Sequence, residues 1–349
     1  MRYYALFFIF VSIAALAPPL ASQGSEQATA GEKPLSLFEF LCGQGDSIPV
    51  IQLDTDWGQL VRNKMKEEYQ PGVLRFRHKD GSLATLDVKV RARGNIRKQV
   101  CHYPPIKIKA KKSQLKALGF QPANDLKMVL PCSNGRLFYD CVVREALIYH
   151  LYEVVYPVHF RAKLVNVESL KDEKERSAFP ALFVEDEEAC AARLGARVIQ
   201  DGVIRPSSLE REAYLKMCFF QYMIANTDWS VPNRHNLETL AIPGSDRLVP
   251  VPYDFDYAGF TGTNYAVPYH ALPIENVNQR FFLGNKVTEA EALETAKFFL
   301  DRKEELLRRC ATFWLLDERE AVSAQKYLNT FFDLLENEKK VVRTFANAD

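Results

Sequence analysis

The stretch from residue 209 to residue 256 contains a helix with no polar face, then a polar loop, then an apolar strand. Residues 209–225 are apolar nearly all round a predicted helix, a pattern typical of a helix that is buried on every side. Pro232 prevents that helix from continuing. Residues 248–252 then predict a strand that leads to Asp254 and Asp256, whose side chains share one face if the backbone is extended. A rigid helix that delivers a polar loop is a common way of positioning catalytic groups.

The part of the chain before this stretch is predicted to be rich in β-strands. Residues 73–77 and 86–90 alternate apolar and polar side chains around an Asp80-Gly81 turn, which predicts an antiparallel hairpin. Residues 105–109 predict a third strand, with Lys107 and Lys109 on one face.

Helices and strands then alternate towards the end of the chain. Residues 138–154 have helical spacing, 160–167 and 180–184 resemble strands around a charged turn, and 288–345 predict two long helical stretches. We therefore expect an α+β, two-lobed fold. Its β-rich N-lobe would span residues 35–185 and its helical C-lobe residues 186–349.

The first residues resemble a secretory signal peptide. Arg2 precedes an apolar run from Tyr3 to Leu16, and small residues follow up to a cleavage point near Ala21. The run is short for a membrane span, although an uncleaved anchor is the alternative. Residues 22–34 are polar and small, which predicts a disordered leader. We expect a secreted or periplasmic protein with no stable membrane span once residues 1–21 are removed.

Composition excludes few functions, but the cysteines exclude some. The formal charge of +1 gives no reason to expect nucleic acid as a partner. The seven cysteines form no Cys-x-x-Cys pair, which argues against zinc and thioredoxin-type sites. In an oxidising compartment, Cys101, Cys132 and Cys141 lie close enough in sequence for one disulfide, and the sequence leaves the pairing open.

The residues around the buried helix supply what phosphoryl transfer requires: a carboxylate for the acceptor, oxygen ligands for a divalent cation, and a cation for the phosphates. Asp228 is the candidate for the first role. Asn236 and Asp254 are candidate metal ligands, because Mg²⁺ and Mn²⁺ take carboxylate and amide oxygens. Asp256 is either a further ligand or a loop-capping residue. Lys107 or Lys109 is the candidate cation.

Six short motifs, in this order, resemble the CotH spore-coat kinase family. They span most of the chain between about residue 50 and residue 260. They are Arg93-Gly94-Asn95, the strand through Lys109, the helix around Arg144, residues 181–185, the loop from Asn226-Thr227-Asp228-Trp229 to His235-Asn236, and residues 251–256.

The resemblance implies a two-lobed, atypical protein-kinase-like fold. It also implies a kinase that uses ATP with Mg²⁺ or Mn²⁺ and phosphorylates a protein hydroxyl, or one of its own. Asp228 would be the catalytic residue and Asn236 and Asp254 would bind the metal. Nucleotide contacts would come from the residues that match the family's cofactor-binding motifs: Arg93 in the phosphate-side loop, Lys109 at the phosphates, Glu185 near the adenine, and Arg144 in either phosphate binding or lobe packing.

Three features depart from kinase patterns. The sequence contains neither Gly-x-Gly-x-x-Gly nor Gly-x-x-x-x-Gly-Lys. Ile96 and Arg97 follow Arg-Gly-Asn, where the family usually has a small hydroxyl residue. Tyr253 stands where the family often has tryptophan.

Two other functions fit parts of the sequence. A secreted pseudokinase could keep the fold and bind a ligand without catalysis. A metal-dependent nucleotidyl- or glycosyltransferase could use Asp254 and Asp256 as an Asp-x-Asp motif, and the glycosyltransferase would require a parallel nucleotide-binding sheet near the N-terminus.

Overall fold

The computed structural model describes residues 34–45, 47–313 and 315–346. The predicted signal peptide and the leader up to residue 33 lie outside these ranges. From Pro34 onward the chain forms one compact unit. Its strands are β1 (Val50–Thr55), β2 (Gln70–Arg77), β3 (Leu83–Ala92), β4 (Ile106–Ala110), β5 (Asp125–Val129), β6 (Ala162–Lys171), β7 (Lys174–Val184), β8 (Arg197–Val198), β9 (Leu237–Ala241) and β10 (Leu248–Pro252).

The helices occur along the whole described chain, and the last four follow the last strand. They are α1 (Leu37–Cys42), α2 (Trp57–Arg62), α3 (Ile96–Val100), α4 (Lys112–Ala117), α5 (Arg136–Val155), α6 (Glu187–Arg193), α7 (Arg211–Met223), α8 (Glu289–Leu300), α9 (Lys303–Thr312), α10 (Glu318–Leu335) and α11 (Glu338–Val341). A 3₁₀ turn at Pro206–Ser208 precedes α7, and a π-helical turn at Val342–Ala346 follows α11.

The first seven strands close into a barrel in the order β1-β2-β3-β4-β5-β7-β6. Neighbours are antiparallel except β1 and β6, which close the barrel as a parallel pair. Residues alternate between the inside and the outside, as the strand period requires. In β4, Ile106 and Ile108 are fully buried, so Lys107 and Lys109 both point outward.

The second part has its own core, built around α5 and α7. Helix α7 is buried nearly all round, as its sequence predicts. Helix α5 packs between this core and the outside of the barrel at β6 and β7. Strands β8, β9 and β10 form a small antiparallel sheet next to α7. Helix α5 thus connects the two parts.

The predicted α+β organisation, β-rich first and helical second, is confirmed. The hairpin is formed by β2 and β3, and the third predicted strand by β4. The β-rich part differs from a typical kinase N-lobe because it closes into a seven-stranded barrel. Cys101 pairs with Cys132, and Cys141 is a buried free thiol. None of the helices in the described ranges is long and apolar enough to span a membrane.

Candidate functional site

A cavity of about 240 Å³ lies where the barrel, α5 and the β9–β10 hairpin meet. Four residues of the predicted site line it: Arg93, Lys107, Glu185 and Asp254. Its volume is slightly below the range of about 300–1,000 Å³ typical of ligand pockets. The other lining residues are Arg91, Lys127, Val129, Glu145, Tyr149, Phe160, Val184, Glu187, Glu238 and Tyr253.

The loop after α7 is held by its own polar side chains. Asn226 is buried, and its Oδ1 accepts the backbone N–H of Asp228 at 3.0 Å. The buried Trp229 donates its Nε1–H to the carbonyl of Asn226 at 3.2 Å. The loop leaves the helix through Ala225, which has a positive φ of 50°. Such a backbone conformation is costly for alanine and persists only where the surroundings hold it.

The Asp228 carboxylate is held by two neighbours and is partly open to solvent. Its Oδ1 lies 2.8 Å from His235 Nε2, and its Oδ2 accepts from Asn236 Nδ2 at 3.0 Å. The side chain is 33% exposed, so a substrate group can reach it. The hydrogen bond to Asp228 raises the pKa of His235, because the carboxylate stabilises the imidazolium.

Asn236 and Asp254 lie at the same end of the β9–β10 hairpin. Asn236 immediately precedes β9, Asp254 follows β10, and Tyr253 donates its backbone N–H to the carbonyl of Asn236 at 3.1 Å. Both have positive φ, 51° for Asn236 and 60° for Asp254. Asn and Asp tolerate this conformation better than other residues with a Cβ, and its occurrence at paired positions is typical of functional sites.

The oxygens of these two residues suit a divalent cation. Asn236 Nδ2 donates to the carbonyl and to the carboxylate of Asp228, which leaves Oδ1 directed elsewhere. No described residue hydrogen bonds to the Asp254 carboxylate or forms an ion pair with it, although it lines the cavity. A carboxylate and an amide oxygen at one hairpin end are suitable ligands for Mg²⁺ or Mn²⁺. Within the described ranges, no three His, Cys, Asp or Glu side chains are grouped as a metal site.

Asp256 is placed differently from Asp254. It is 5% exposed, and its Oδ2 accepts the hydroxyl of Tyr265 at 2.8 Å and lies 4.0 Å from Arg97 Nε. Burial and the nearby Asp254 raise the pKa of Asp256, and Arg97 opposes that rise. Of the two roles that the sequence left open, this geometry favours bracing the loop.

Arg97 and Glu145 complete a buried charged cluster that sequence reasoning missed. Arg97 Nη1 lies 3.8 Å from Glu145 Oε2, and both residues are less than a tenth exposed. Burial raises the pKa of Glu145, and Arg97 opposes that rise. The available signals were Glu145, an acidic residue in the middle of the largely apolar helix α5, and an arginine two residues after the Arg-Gly-Asn motif.

The three basic residues of the predicted site differ in their ion-pair partners and in the cavity that they line. Arg93 lines the cavity, and its guanidinium has no hydrogen-bond or ion-pair partner among the described residues. Lys107 lines the same cavity and pairs with Asp125 at 2.9 Å. Lys109 instead lines a larger concavity on the outside of the barrel, beside Lys89 and Asp87. The structure therefore brings Lys107, and not Lys109, to the Asp254 cavity.

The remaining two predicted residues form structural ion pairs. Glu185 is 2% exposed, and its carboxylate accepts from Arg193 Nε at 2.9 Å and Nη2 at 2.7 Å, at the point where the chain leaves β7. Arg144 points away from the cavity and pairs with Glu320 of α10. Its position corresponds to the packing role rather than the phosphate-binding role.

One side of the cavity is apolar and aromatic. The rings of Phe160 and Tyr253 meet edge to face, with centroids 5.7 Å apart. Val129 and Val184 line the cavity next to Glu185. The cavity lining therefore combines apolar side chains with charged ones that include Arg93, Lys107 and Asp254. A nucleotide has the same two kinds of surface, an apolar base and anionic phosphates.

Comparisons with known proteins give a structural likeness but no sequence match. No protein-family model and no curated protein sequence matches the chain. Among solved structures, the chain is similar to the crystal structure of the Helicobacter pylori proinflammatory kinase CtkA, at 8% sequence identity. The alignment covers 74% of this chain and 95% of that one, with a TM-score of 0.41.

Proposed function

We propose that this protein is a CotH-like phosphotransferase that transfers the γ-phosphoryl group of ATP to a protein hydroxyl, or to one of its own. The observation that carries the proposal is the hydrogen bond from Asn236 Nδ2 to Asp228 Oδ2. It links the candidate catalytic carboxylate to a hairpin end where the Asp254 carboxylate lines a cavity that is also lined by Arg93 and Lys107.

The two sides of the cavity would divide the nucleotide between them. The base would lie against Val184, Phe160 and Tyr253, where apolar surface is available. The phosphates would lie towards Arg93 and Lys107. Arg93 is the better placed cation because it has no competing partner among the described residues, whereas Lys107 is shared with Asp125.

Asn236 Oδ1 and the Asp254 carboxylate would hold Mg²⁺ or Mn²⁺. When bound, the ion supplies positive charge that offsets the charge on the transferring phosphates. The protein's own contribution is to fix both ligands. Asn236 is fixed by its two bonds to Asp228, and Asp254 by the bond from its backbone N–H to Tyr149.

Asp228 would orient the acceptor hydroxyl and accept its proton. The acceptor oxygen forms a bond to the γ-phosphorus, the bond from that phosphorus to the β–γ bridging oxygen breaks, and ADP leaves. His235 and Asn236 hold the two carboxylate oxygens, so the orientation of Asp228 is set before the acceptor arrives. Its 33% exposure leaves room for a hydroxyl to approach.

Two sequence features support the more specific parts of the proposal, which are the CotH family and export. The CotH assignment rests on the motif order given above, and export rests on the signal-like residues 1–21, which lie outside the described ranges. A glycosyltransferase fits less well, because it would require a parallel N-terminal sheet and the N-terminal strands form a barrel that is antiparallel except for one pair.

The test is incubation of the protein, lacking residues 1–21, with γ-labelled or α-labelled ATP, with and without Mg²⁺ or Mn²⁺. Dephosphorylated casein serves as an added acceptor, and the protein itself as the other. We expect metal-dependent incorporation of the γ-label, and its loss in Asp254→Ala. Incorporation of the α-label would indicate nucleotidyl transfer.

The matched control is Asp246→Ala. Asp246 is exposed in the turn between β9 and β10, at the opposite end of the hairpin from Asp254. This variant should transfer label as the unmodified protein does. If neither label is incorporated and ATP with Mn²⁺ does not raise the melting temperature, the kinase proposal is wrong. If ATP raises the melting temperature without transfer, the protein is a pseudokinase.

A further inference from the structure

Arg97 joins three segments that are distant in sequence. It lies on α3 and is 7% exposed, and its Nη2 donates to the carbonyl of Leu130 at 2.5 Å. Its Nη1 faces Glu145 on α5 at 3.8 Å, and its Nε faces Asp256 at 4.0 Å. A buried guanidinium requires compensating negative charge, and these two carboxylates supply it.

The cluster is paired by charge, but its hydrogen bonds are incomplete. Among the described residues, Arg97 Nε and Nη1 have no hydrogen-bond partner, and neither does Glu145 Oε1. A cavity of about 10 Å³ lies next to them, lined also by Tyr265 and Cys141. Because both contacts exceed hydrogen-bond length, a shift of less than 1 Å would convert them into hydrogen bonds. Contacts of this kind often shorten when a ligand completes a site.

A disulfide fixes both backbone segments that hold Arg97. Cys101 follows α3, and its N–H donates to the carbonyl of Arg97 at 3.0 Å. Cys132 lies two residues after Leu130, which accepts the Arg97 side chain. The Cys101–Cys132 disulfide therefore ties the segment that carries the guanidinium to the segment that anchors it.

The turn from Asp254 to Asp256 is held at both ends by α3 and α5. At one end, Tyr149 accepts the backbone N–H of Asp254 at 3.0 Å. At the other end, Asp256 faces Arg97, which also faces Glu145, one helical turn before Tyr149 on α5. A side chain that holds Asp256 thus limits the movement of Asp254, two residues earlier.

We infer that Arg97 is a positioning residue: anchored at Leu130 and fixed by the Cys101–Cys132 disulfide, it holds Asp256 and so keeps the Asp254 carboxylate directed into the cavity. The inference rests on the proposed function, because it makes Asp254 a ligand for a divalent cation. It also gives the disulfide a consequence for the site, since reduction would loosen the support of Arg97.

The experiment measures Mn²⁺ binding and the order of the turn in Arg97→Met and Arg97→Lys. Mn²⁺ affinity is measured by calorimetry in the presence of ATP. Hydrogen exchange of the peptide covering residues 252–260 is measured in the metal-free protein. Arg75→Met is the matched control, because Arg75 is a largely buried arginine on the outside of the barrel, paired with Asp54.

We expect Arg97→Met to weaken Mn²⁺ binding about 10- to 100-fold, the usual loss when an outer partner of a metal ligand is removed. Hydrogen exchange of residues 254–258 in metal-free Arg97→Met should accelerate. Arg97→Lys should restore part of the Mn²⁺ affinity and part of the protection from exchange. Arg75→Met should match the unmodified protein in both measurements. Reduction of the disulfide should accelerate exchange of the same peptide. Arg97→Lys and reduction keep the test decisive if Arg97→Met does not fold.

The outcomes separate this inference from the proposed function. If Arg97→Met binds Mn²⁺ and exchanges as the unmodified protein does, while Asp254→Ala loses binding, only the Arg97 inference is overturned. If the unmodified protein binds no Mn²⁺ with ATP, the proposed function fails and this inference fails with it. Unchanged exchange after reduction would overturn the role given to the disulfide.

Discussion

The hydroxyl oxygen of Tyr149 accepts a hydrogen bond from the backbone N–H of Asp254 at 3.0 Å. Tyr149 is 3% exposed and belongs to α5, whereas Asp254 follows β10 and has a positive φ of 60°. The bond therefore holds a backbone conformation that Asp adopts only at some cost. It connects the helix between the two parts of the fold to the candidate metal ligand.

Replacing Tyr149 by phenylalanine should destabilise the protein and weaken its metal site. The change leaves the Asp254 N–H without its acceptor, which costs about 1–3 kcal/mol where water cannot replace the lost partner. Urea unfolding gives the free energy of unfolding, and calorimetry with ATP gives the Mn²⁺ affinity. Both should fall, because the bond that is lost also orients Asp254.

Tyr152→Phe is the matched control for that prediction. Tyr152 lies on the same helix and is equally buried, but its hydroxyl has no hydrogen-bond partner in the part of the chain that the structure describes. Removing an unpaired buried hydroxyl should leave stability unchanged or raise it slightly. Equal losses in both variants would mean that the Tyr149 bond does not hold the turn.

Asp228→Asn should bind ATP and metal but lose transfer. Asparagine keeps the size of the side chain and can still bond to Asn236 and His235, so the loop should keep its shape. It cannot take the proton from the substrate hydroxyl. A general base typically increases the rate about 10²–10⁴-fold. The rate of γ-label transfer measures the loss, and the shift in melting temperature with ATP and Mn²⁺ measures binding. A variant that transfers at the original rate would remove Asp228 from the catalytic role.

The local patterns of the sequence predicted the elements that bear the site. Residues 248–252 were predicted as a strand, and β10 spans Leu248–Pro252. The buried helix and the hairpin were predicted from periodicity in the same way. These features depend on side chains within one turn or one strand, so a short window contains the information.

Closure of the barrel could not be predicted in that way. It depends on the parallel pairing of β1 with β6, in which Gln52 lies opposite Glu168. That contact joins segments more than a hundred residues apart, and neither strand shows locally which partner it will have. The Arg97 cluster could not be predicted from local sequence for the same reason, because its members come from α3, α5 and the turn after β10.

The two strand lysines show a finer limit. Lys107 and Lys109 do lie on one face of β4, as the alternation predicts. Residues two apart in a strand are separated by about 7 Å, and that distance is enough to place them in different cavities on a curved barrel surface. The pattern gives the face of a strand, and the three-dimensional fold decides what that face meets.

Replacing Arg93, Lys107 and Lys109 by alanine, one at a time, should rank their contributions to ATP binding. We expect Arg93→Ala to weaken ATP binding most, about 10- to 100-fold, since a hydrogen bond to a charged group contributes about 1.5–3 kcal/mol. Lys107→Ala should have a smaller effect because Lys107 is shared with Asp125. Lys109→Ala is the control and should leave binding unchanged. Calorimetric titration with ATP and Mn²⁺ gives the three dissociation constants, and a Lys109 variant that binds most weakly would contradict the assignment of the cavity.

Acid stability should depend measurably on Glu291 at the start of α8. Hydrogen bonds from Arg211, then from Thr288, lower the pKa of Glu291 from 4.5 to about 2. Because the folded pKa is below the unfolded one, the stabilisation is present above about pH 4.5 and is lost as the pH falls towards about 2. Glu291→Gln should therefore lose about 1 kcal/mol at pH 7, a figure reduced for solvent screening, and almost nothing near pH 2. Glu289→Gln, in the same first turn but exposed and without a hydrogen-bond partner among the described residues, is the control. Urea unfolding from pH 2 to pH 7 measures both variants, and a Glu291 difference that does not shrink on acidification would contradict the ion pair with Arg211.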